Sequence, residues 1–309
     1  MKASAPVSGP HIFPVAAVVV TYQPEAVVLE NVKRIAAQVP EVIIVDNGSR
    51  GDTANWVEAA AQVPGVRLIR NRENLGIATA LNIGIRQALQ SGWQWVATFD
   101  QDTAVPEHYF EHLLAVYDAC PATAEVGMIV AGGWRETGGT RAMPEPSQLK
   151  SNWSFVRGAV NSGSVIKAVI FQRVGFYDDA LFIDYVDTDF CLRLQQHGFK
   201  ILSANSVILE HELGERQTRH LLGLKVSFCI HTAWRYYYIM RNRWVLYHRF
   251  LRVFPGWVLF DGRRMLMEMG RIAFLEHGRK AKLQAAWLGV RDGMRGRTGR
   301  HPQFPPPRK

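Results

Sequence analysis

The sequence predicts an α/β fold: a mostly parallel central sheet covered by helices on both faces, followed by a strongly basic, helical C-terminal region. Three observations carry this expectation. Valine-rich apolar runs of strand length alternate with segments of helical spacing through the first hundred residues, the pattern of βαβ units around a sheet buried on both faces. Three of those runs end in polar clusters, and open parallel sheets bind their ligands at the carboxyl ends of their strands. Charge is also unevenly divided. Residues 1–215 carry 16 Lys and Arg against 23 Asp and Glu, and residues 216–309 carry 20 against 4, so a net −7 is followed by a net +16.

Each element has its own signal. VAAVVVTY at 15–22 reads as a buried strand ended by the turn sequence QPE. Val28, Val32, Ile35 and Ala36 fall at helical spacing within 25–38, and EVIIV at 41–45 is a second strand that ends in DNGS. A helix is expected over 55–62, a short strand over 66–70, a helix over 76–90 and a strand over 95–99 that ends in DQD. Beyond Asp102 the alternation weakens. A helix is expected over 106–119, a strand over 126–131, a mobile Gly-, Thr- and Pro-rich loop over 132–146, a strand-like segment within 159–170, a helix over 188–196 and a strand over 201–209. From about Leu221 the pattern is helical and basic, and the PPP-containing end over 300–309 reads as a disordered tail. The domain bounds expected are a flexible terminus over 1–14, a sheet domain over 15–220 divided near residue 105, and a basic aromatic region over 221–299.

Composition narrows the class. With 309 residues, 48% hydrophobic and 20% charged, the chain has enough apolar content to fold around a core, which excludes a disordered chain or a disulfide mini-scaffold. Cys120, Cys191 and Cys229 are odd in number and widely spaced, so they form neither a disulfide framework nor a CxxC knuckle and suit a reducing compartment. No run reaches the length of a spanning helix and the N-terminus lacks a signal-peptide core, so a cytosolic protein is expected. The basic, aromatic end suggests an anionic neighbour, for which membrane lipid and nucleic acid are both candidates.

The polar clusters suggest chemistry. Asp100-Gln101-Asp102 places two carboxylates where a strand breaks, hard oxygen ligands suited to Mg²⁺ or Mn²⁺ that could clamp a diphosphate; alone, the triplet is equally a solvated turn or a cap ahead of Pro106. Asp184, Asp187 and Asp189 form a second cluster. One acid there serves a helix cap, but three do not, and the neighbours Phe182, Ile183, Tyr185 and Phe190 would raise a carboxylate pKa toward that of a general base. Asn74, Gly76, Ala78, Asn82 and Gly84 open a helix with small residues, either to admit a phosphate or sugar or as an ordinary capped start. His211 is a metal or phosphate ligand, or a structural histidine.

Taken in order, VVVTYQP, VDNGS, NRENLGIATALNIGI, ATFDQD, NSGS at 161–164, FIDYVDTDFCLRLQQHG and LEHELG resemble the family 2 glycosyltransferases, inverting enzymes of the Rossmann-like GT-A fold. Within that family RYYYIMRN at 235–242 and GVRDGMRGRTG at 289–299 are similar to segments of bacterial rhamnosyltransferases of polysaccharide assembly. The resemblance implies a nucleotide-sugar half over about 15–105 and an acceptor half over about 106–220. It implies that Thr21 and Tyr22 line the base and ribose site, that Asp46 with neighbouring Asn47 serves the base, and that Asn74 and Gly76 sit near the nucleotide. Asp100 and Asp102, the DxD motif, would hold ribose and a Mg²⁺ or Mn²⁺ ion, with Asp102 the more direct ligand and His211 a further candidate.

Asp187 matches the family's catalytic base. Many relatives have Glu-Asp where this chain has Val186-Asp187, which keeps Asp184 as a second candidate. The expected donor is dTDP-L-rhamnose, with UDP-galactofuranose or another UDP-sugar as the alternative; a non-catalytic nucleotide- or membrane-binding protein is the reading from another class. The expected acceptor is a saccharide or a polyprenyl-diphosphate-linked sugar. Arg241 and Asn242 are candidates to reach the donor diphosphate. Trp234, Tyr236, Tyr237, Tyr238, Trp244, Tyr247, Trp257 and Phe260, interleaved with arginines, are either a contact with anionic membrane at the cytoplasmic face or core aromatics beside a solvated cationic face. Nucleic acid is set aside as partner. Cys191 is expected to be a small core residue.

Overall fold

A computed structural model describes residues 14–135, 151–211, 216–221 and 224–307, with backbone alone for 134–135, 210–211, 216–221 and 224–229. The first half is the expected βαβ run: β1 (Val15–Thr21), α1 (Val27–Ala36), β2 (Glu41–Asp46), α2 (Asp52–Ala61), β3 (Val66–Arg70), α3 (Ile77–Gln90) and β4 (Trp95–Asp100). β1 is buried along its whole length because its successive side chains enter two different cores. Ala16, Val18 and Val20 pack with Leu81 and Ile85 of α3, whereas Val15, Ala17 and Val19 pack with Val28, Val32 and Ile35 of α1.

The chain continues through β5 (Thr103–Ala104), α4 (Tyr109–Asp118), β6 (Val126–Arg135), β7 (Trp153–Val156), β8 (Ser164–Lys167), α5 (Ala168–Arg173), a 3-10 turn at Asp179–Leu181, α6 (Val186–Gln196) and β9 (Lys200–His211). Among the described residues the main sheet has nine strands in the order β3-β2-β1-β4-β8-β6-β9-β5, with β7 beside β9. β3, β2, β1 and β4 are parallel neighbours, and beyond β4 the directions mix: β8 runs antiparallel to both β4 and β6. The parallel pairs of the expected mostly parallel sheet thus concentrate in β1–β4, with β6 and β9 parallel beyond them. The segment expected to be strand-like over 159–170 divides into β8 and α5, and residues 132–135 of the expected loop belong to β6; the rest of that loop lies outside the described residues.

The C-terminal region begins with a hairpin rather than a helix. β10 (Arg216–Leu221) and β11 (Leu224–Cys229) pair antiparallel, consistent with the period-two alternation of Leu224, Val226 and Phe228. Three helices follow, α7 (Ala233–Phe250), α8 (Pro255–Leu275) and α9 (Arg279–Met294). α7 is buried on nearly every side, and its tyrosine hydroxyls find partners: Tyr236 on Glu276 at 2.8 Å, Tyr237 on Asp292 at 3.0 Å and Tyr238 on the Phe304 carbonyl at 3.1 Å. These tyrosines, with Tyr247, are core rather than surface. The expected disordered tail is also corrected over 300–307. Phe304 stacks on Tyr237 with ring centroids 4.6 Å apart, Arg300 pairs with Glu73 at 2.6 Å, and Tyr22 donates to the Pro307 carbonyl at 3.0 Å. Among the described residues no helix is long and apolar enough to cross a membrane.

Candidate active site

The strand ends converge as the parallel order requires, with Thr21 beside Asp46 and Val20 beside Asp100. Above them opens a cavity of about 630 Å³ bordered by Tyr22, Asn47, Asn74, Gly76, Asp100 and Asp102 on one side and by residues 182–187 on the other. Thr21 and Asp46 do not line it. Asp46 is buried and accepts from Thr21 Oγ1 at 3.0 Å, Ser49 Oγ at 2.5 Å and the Ser49 N–H at 3.1 Å, so here it fixes the ends of β1 and β2. Asn47 works likewise at the wall. Its amide donates to Asn74 Oδ1 at 3.1 Å and to the Gly76 carbonyl at 3.2 Å, while its oxygen accepts from Asn71 and from the Leu75 N–H, both at 3.0 Å. Gly76 leads into α3 at φ 89°, a conformation that side chains rarely adopt.

Asp100 and Asp102 stand at the break after β4, where Asn161 donates to Asp100 Oδ1 at 3.2 Å and the Asp100 N–H donates to Ser162 Oγ at 3.0 Å. The two carboxylates border the same cavity and are hard donors of the kind Mg²⁺ and Mn²⁺ take together with phosphate and water, so the donor set fits a divalent ion. Among the described residues no group of three or more His, Cys, Asp or Glu forms a ready-made metal site. The backbone of His211 pairs with Thr103, one residue beyond Asp102, while its side chain lies outside the described atoms.

The far wall is an unusual piece of backbone. Phe182, Asp184 and Tyr185 have φ of 65°, 62° and 64°, left-handed conformations that are costly for bulky residues and persist where the surroundings enforce them. The enforcing groups come from α7. Asn242, fully buried, directs its amide hydrogens to the carbonyls of Leu181 at 3.0 Å, Ile183 at 2.8 Å and Asp184 at 2.8 Å. Arg241 is 1% exposed and binds the Leu181 carbonyl at 2.8 Å as well as the Gly299 carbonyl. Arg241 therefore does not border the cavity; it braces the loop and the tail from below. Arg235 and Trp234, not singled out from the sequence as donor-site residues, do border it, as do Asn161, Ser162, Pro306 and Pro307.

The three acids of this segment have different surroundings. Asp184 is paired with Arg235. Asp189 is fully buried between Arg193, at 2.7 Å, and Arg249, an ion-paired structural role. Asp187, in the first turn of α6, has no cationic partner among the described residues; its Oδ1 accepts from the Thr188 N–H at 2.7 Å and the Thr188 hydroxyl at 3.3 Å. Burial, reinforced by the nearby charges of Asp184 and Asp100, pushes the Asp187 carboxyl up to about 6 against the pull of the Thr188 hydrogen bonds. Cys191, behind it, is a buried core thiol pushed up to about 12 by burial.

A second cavity of about 660 Å³ lies on the other side of the segment, between it, α7 and α8. It shares only Asp184, Tyr185 and Asp187 with the first, and its remaining wall includes His231, Arg243, Trp257, Arg264, Glu268 and Arg271. Tyr185 anchors the partition: its hydroxyl donates to Asp261 Oδ1 at 3.0 Å and accepts from Arg243.

A cavity at the carboxyl ends of parallel strands, bordered by Asp100, Asp102 and the partly buried Asp187, suits an enzyme that binds its ligand there. Residues 16–183, more than half of the chain, match Glycosyl transferase family 2, and the chain belongs to that family. It is a glycosyltransferase. It is 28% identical over 302 residues to the dTDP-rhamnosyl transferase RfbF of Shigella flexneri, an alignment covering 92% of this chain and 96% of that protein. Among solved structures it shares its fold with S. aureus TarS 1-349 (TM-score 0.56, 14% identity, 90% of this chain and 80% of that one). It also shares the fold of GalNAc-T7 with UDP, GalNAc and Mn²⁺ (TM-score 0.52, 17% identity), covering 68% of this chain but only 44% of the other.

Proposed function

We propose that this glycosyltransferase transfers L-rhamnose, with inversion, from dTDP-L-rhamnose to a saccharide or polyprenyl-diphosphate-linked acceptor in cell-surface polysaccharide assembly. One observation carries the mechanism: Asp187 borders both cavities. The first cavity, with Tyr22, Asn47, Asn74 and Gly76 in its wall, suits the nucleotide, and Arg235 at its edge suits the diphosphate. An acceptor hydroxyl entering from the second cavity meets Asp187, which takes its proton as the oxygen attacks the anomeric carbon. A carboxyl held near 6 is ionised at neutral pH yet basic enough for the task, a step worth about a hundredfold or more. Asp184, engaged by Arg235, serves as a neighbour that raises the basicity of Asp187 rather than as the base itself. One displacement inverts the centre, and no covalent intermediate is needed. Asp102 and Asp100 would hold a Mg²⁺ or Mn²⁺ ion, which when bound offsets charge on the departing diphosphate. The choice of rhamnose rests on the full-length similarity to the dTDP-rhamnosyl transferase. A polyprenyl-linked acceptor further implies a seat at the cytoplasmic face of an anionic membrane.

The experiment is a thermal-shift series with dTDP-rhamnose, other dTDP-sugars, UDP-sugars and GDP-sugars, each with and without Mn²⁺ or Mg²⁺, because a ligand selective for the native state raises the melting temperature. A metal-dependent rise with dTDP-rhamnose, abolished in Asp102→Ala, is expected. A rise with UDP-sugars alone replaces the donor, and product formation by both Asp102→Ala and Asp187→Asn at the wild-type rate refutes the mechanism.

A further inference from the structure

The outer face of α8 is apolar where a surface helix should be polar. Leu259 and Phe274 are 74% and 83% exposed, and Phe260, Leu266 and Met267 are exposed beside them. Their spacing places them along one side of the helix. The acids of α8 are elsewhere: Asp261 is buried on Tyr185 and Tyr247, and Glu268 binds Arg243 at 2.6 Å. The exposed side therefore carries cations alone. Arg263 lies within the stripe, Arg264 at its margin, and Arg252, Arg279 and Lys280 are exposed around the two ends of the helix. Met267 and Arg264 also belong to the wall of the second cavity, so the stripe runs onto the rim of that chamber.

We infer that this face seats the protein on an anionic lipid bilayer, with the mouth of the second cavity at the lipid surface. An apolar stripe flanked by arginine and free of exposed carboxylate matches the interfacial region of such a bilayer, in which side chains enter the acyl boundary while guanidinium groups meet phosphate. A second copy of the chain is a poor occupant. A self-complementary contact would bring Arg263 and Arg264 toward their own equivalents with no acid of α8 to offset them. The seat involves residues other than most of the aromatic and cationic ones expected from the sequence, because Tyr236, Tyr237, Tyr238, Arg241 and Arg243 are buried. It rests on the proposed reading in one respect, that the acceptor is lipid-linked and is reached from the bilayer.

The test is flotation of the full chain with vesicles of phosphatidylcholine alone and of phosphatidylcholine mixed with phosphatidylglycerol, at low and high salt. Capture by the phosphatidylglycerol vesicles, weakened by salt, is expected. The double variant L259S/F274S, whose altered side chains are already in solvent, should keep its melting temperature and lose roughly tenfold or more in vesicle affinity. Equal capture by both vesicle types, no capture at all, or unchanged capture of the variant overturns the inference. So does a dimer in sedimentation velocity that the same variant dissolves, which would assign the face to a second copy. Donor thermal shifts are read without lipid, so failure of the proposed activity and failure of the membrane seat show in separate measurements.

Discussion

Gly76 and Phe182 touch through their backbones: the N–H of Ile77 donates to the Phe182 carbonyl at 2.8 Å, and a Cβ at Gly76 would stand 2.5 Å from that same oxygen. This contact joins the start of α3 to the segment that carries Asp187. In Gly76→Ala, an ill-suited φ and a backbone clash add together, so a loss of about 2 kcal/mol or more is expected, measured by chemical denaturation. The donor-induced thermal shift should shrink with it, because the displaced Phe182 is part of the donor wall.

Asp187→Asn should lower turnover by about a hundredfold or more while leaving the donor thermal shift in place. The same variant should be more stable than wild type at neutral pH. A carboxyl whose native value is raised to about 6 disfavours the native state once ionised; this penalty is complete above that pH and disappears as pH falls through it toward the unfolded value. The gain should be on the order of 2 to 3 kcal/mol by denaturation at pH 7, fading in acid.

The pH profile of kcat/KM should rise through an apparent pKa near 6 as Asp187 ionises. Since the Asp184 charge contributes to that elevation, Asp184→Asn should move the midpoint to lower pH while retaining much more activity than Asp187→Asn. A profile whose lower limb does not move would assign the titration to another group.

Asn242→Leu keeps roughly the volume of the side chain and removes its donors to three carbonyls. Leaving such groups unpaired in the interior costs on the order of 2 to 4 kcal/mol in total, and the positive-φ residues Phe182, Asp184 and Tyr185 lose the groups that enforce them. Turnover should fall by more than the donor shift does, a difference read by comparing kcat with the melting series.

Removal of residues 300–309 takes away Pro306 and Pro307 from the first cavity and the Phe304 ring from Tyr237. Donor binding should weaken by roughly tenfold, measured by titration calorimetry, with the α/β half still folded by circular dichroism.

What the sequence revealed and what it concealed follow from how far each signal reaches along the chain. β1, β2 and β4 are continuous apolar runs bounded by turn residues, so both the strands and the polar ends that face the cavity were readable locally. Asp187 stood out because three acids among aromatics exceed what a helix cap needs. In this structure Thr21 and Asp46 satisfy each other at the strand ends, a pairing between two strands that the sequence does not display. The partners of Arg241, the carbonyls of Leu181 and Gly299, are likewise distant in sequence and do not show in it. The tail was hidden for a related reason. Its proline content favours an extended chain, and the tertiary positions of Tyr237, Tyr238, Glu73 and Tyr22 give that chain something to pack on. The α8 stripe required exposure to be known, because its leucines and phenylalanines read the same whether core or surface.

On the proposed assignment of the first cavity to the donor and the second to the acceptor, the two selections fall on nearly separate sets of residues, because among the described residues the chambers have only Asp184, Tyr185 and Asp187 in common. On that assignment a substitution on α8 should retune the recipient without disturbing the first cavity, and one at Asn47 or Asn74 should retune the donor without reaching α8. Such a plan would give a lineage two separate dials for linkage diversity, and protein engineers could turn either one alone.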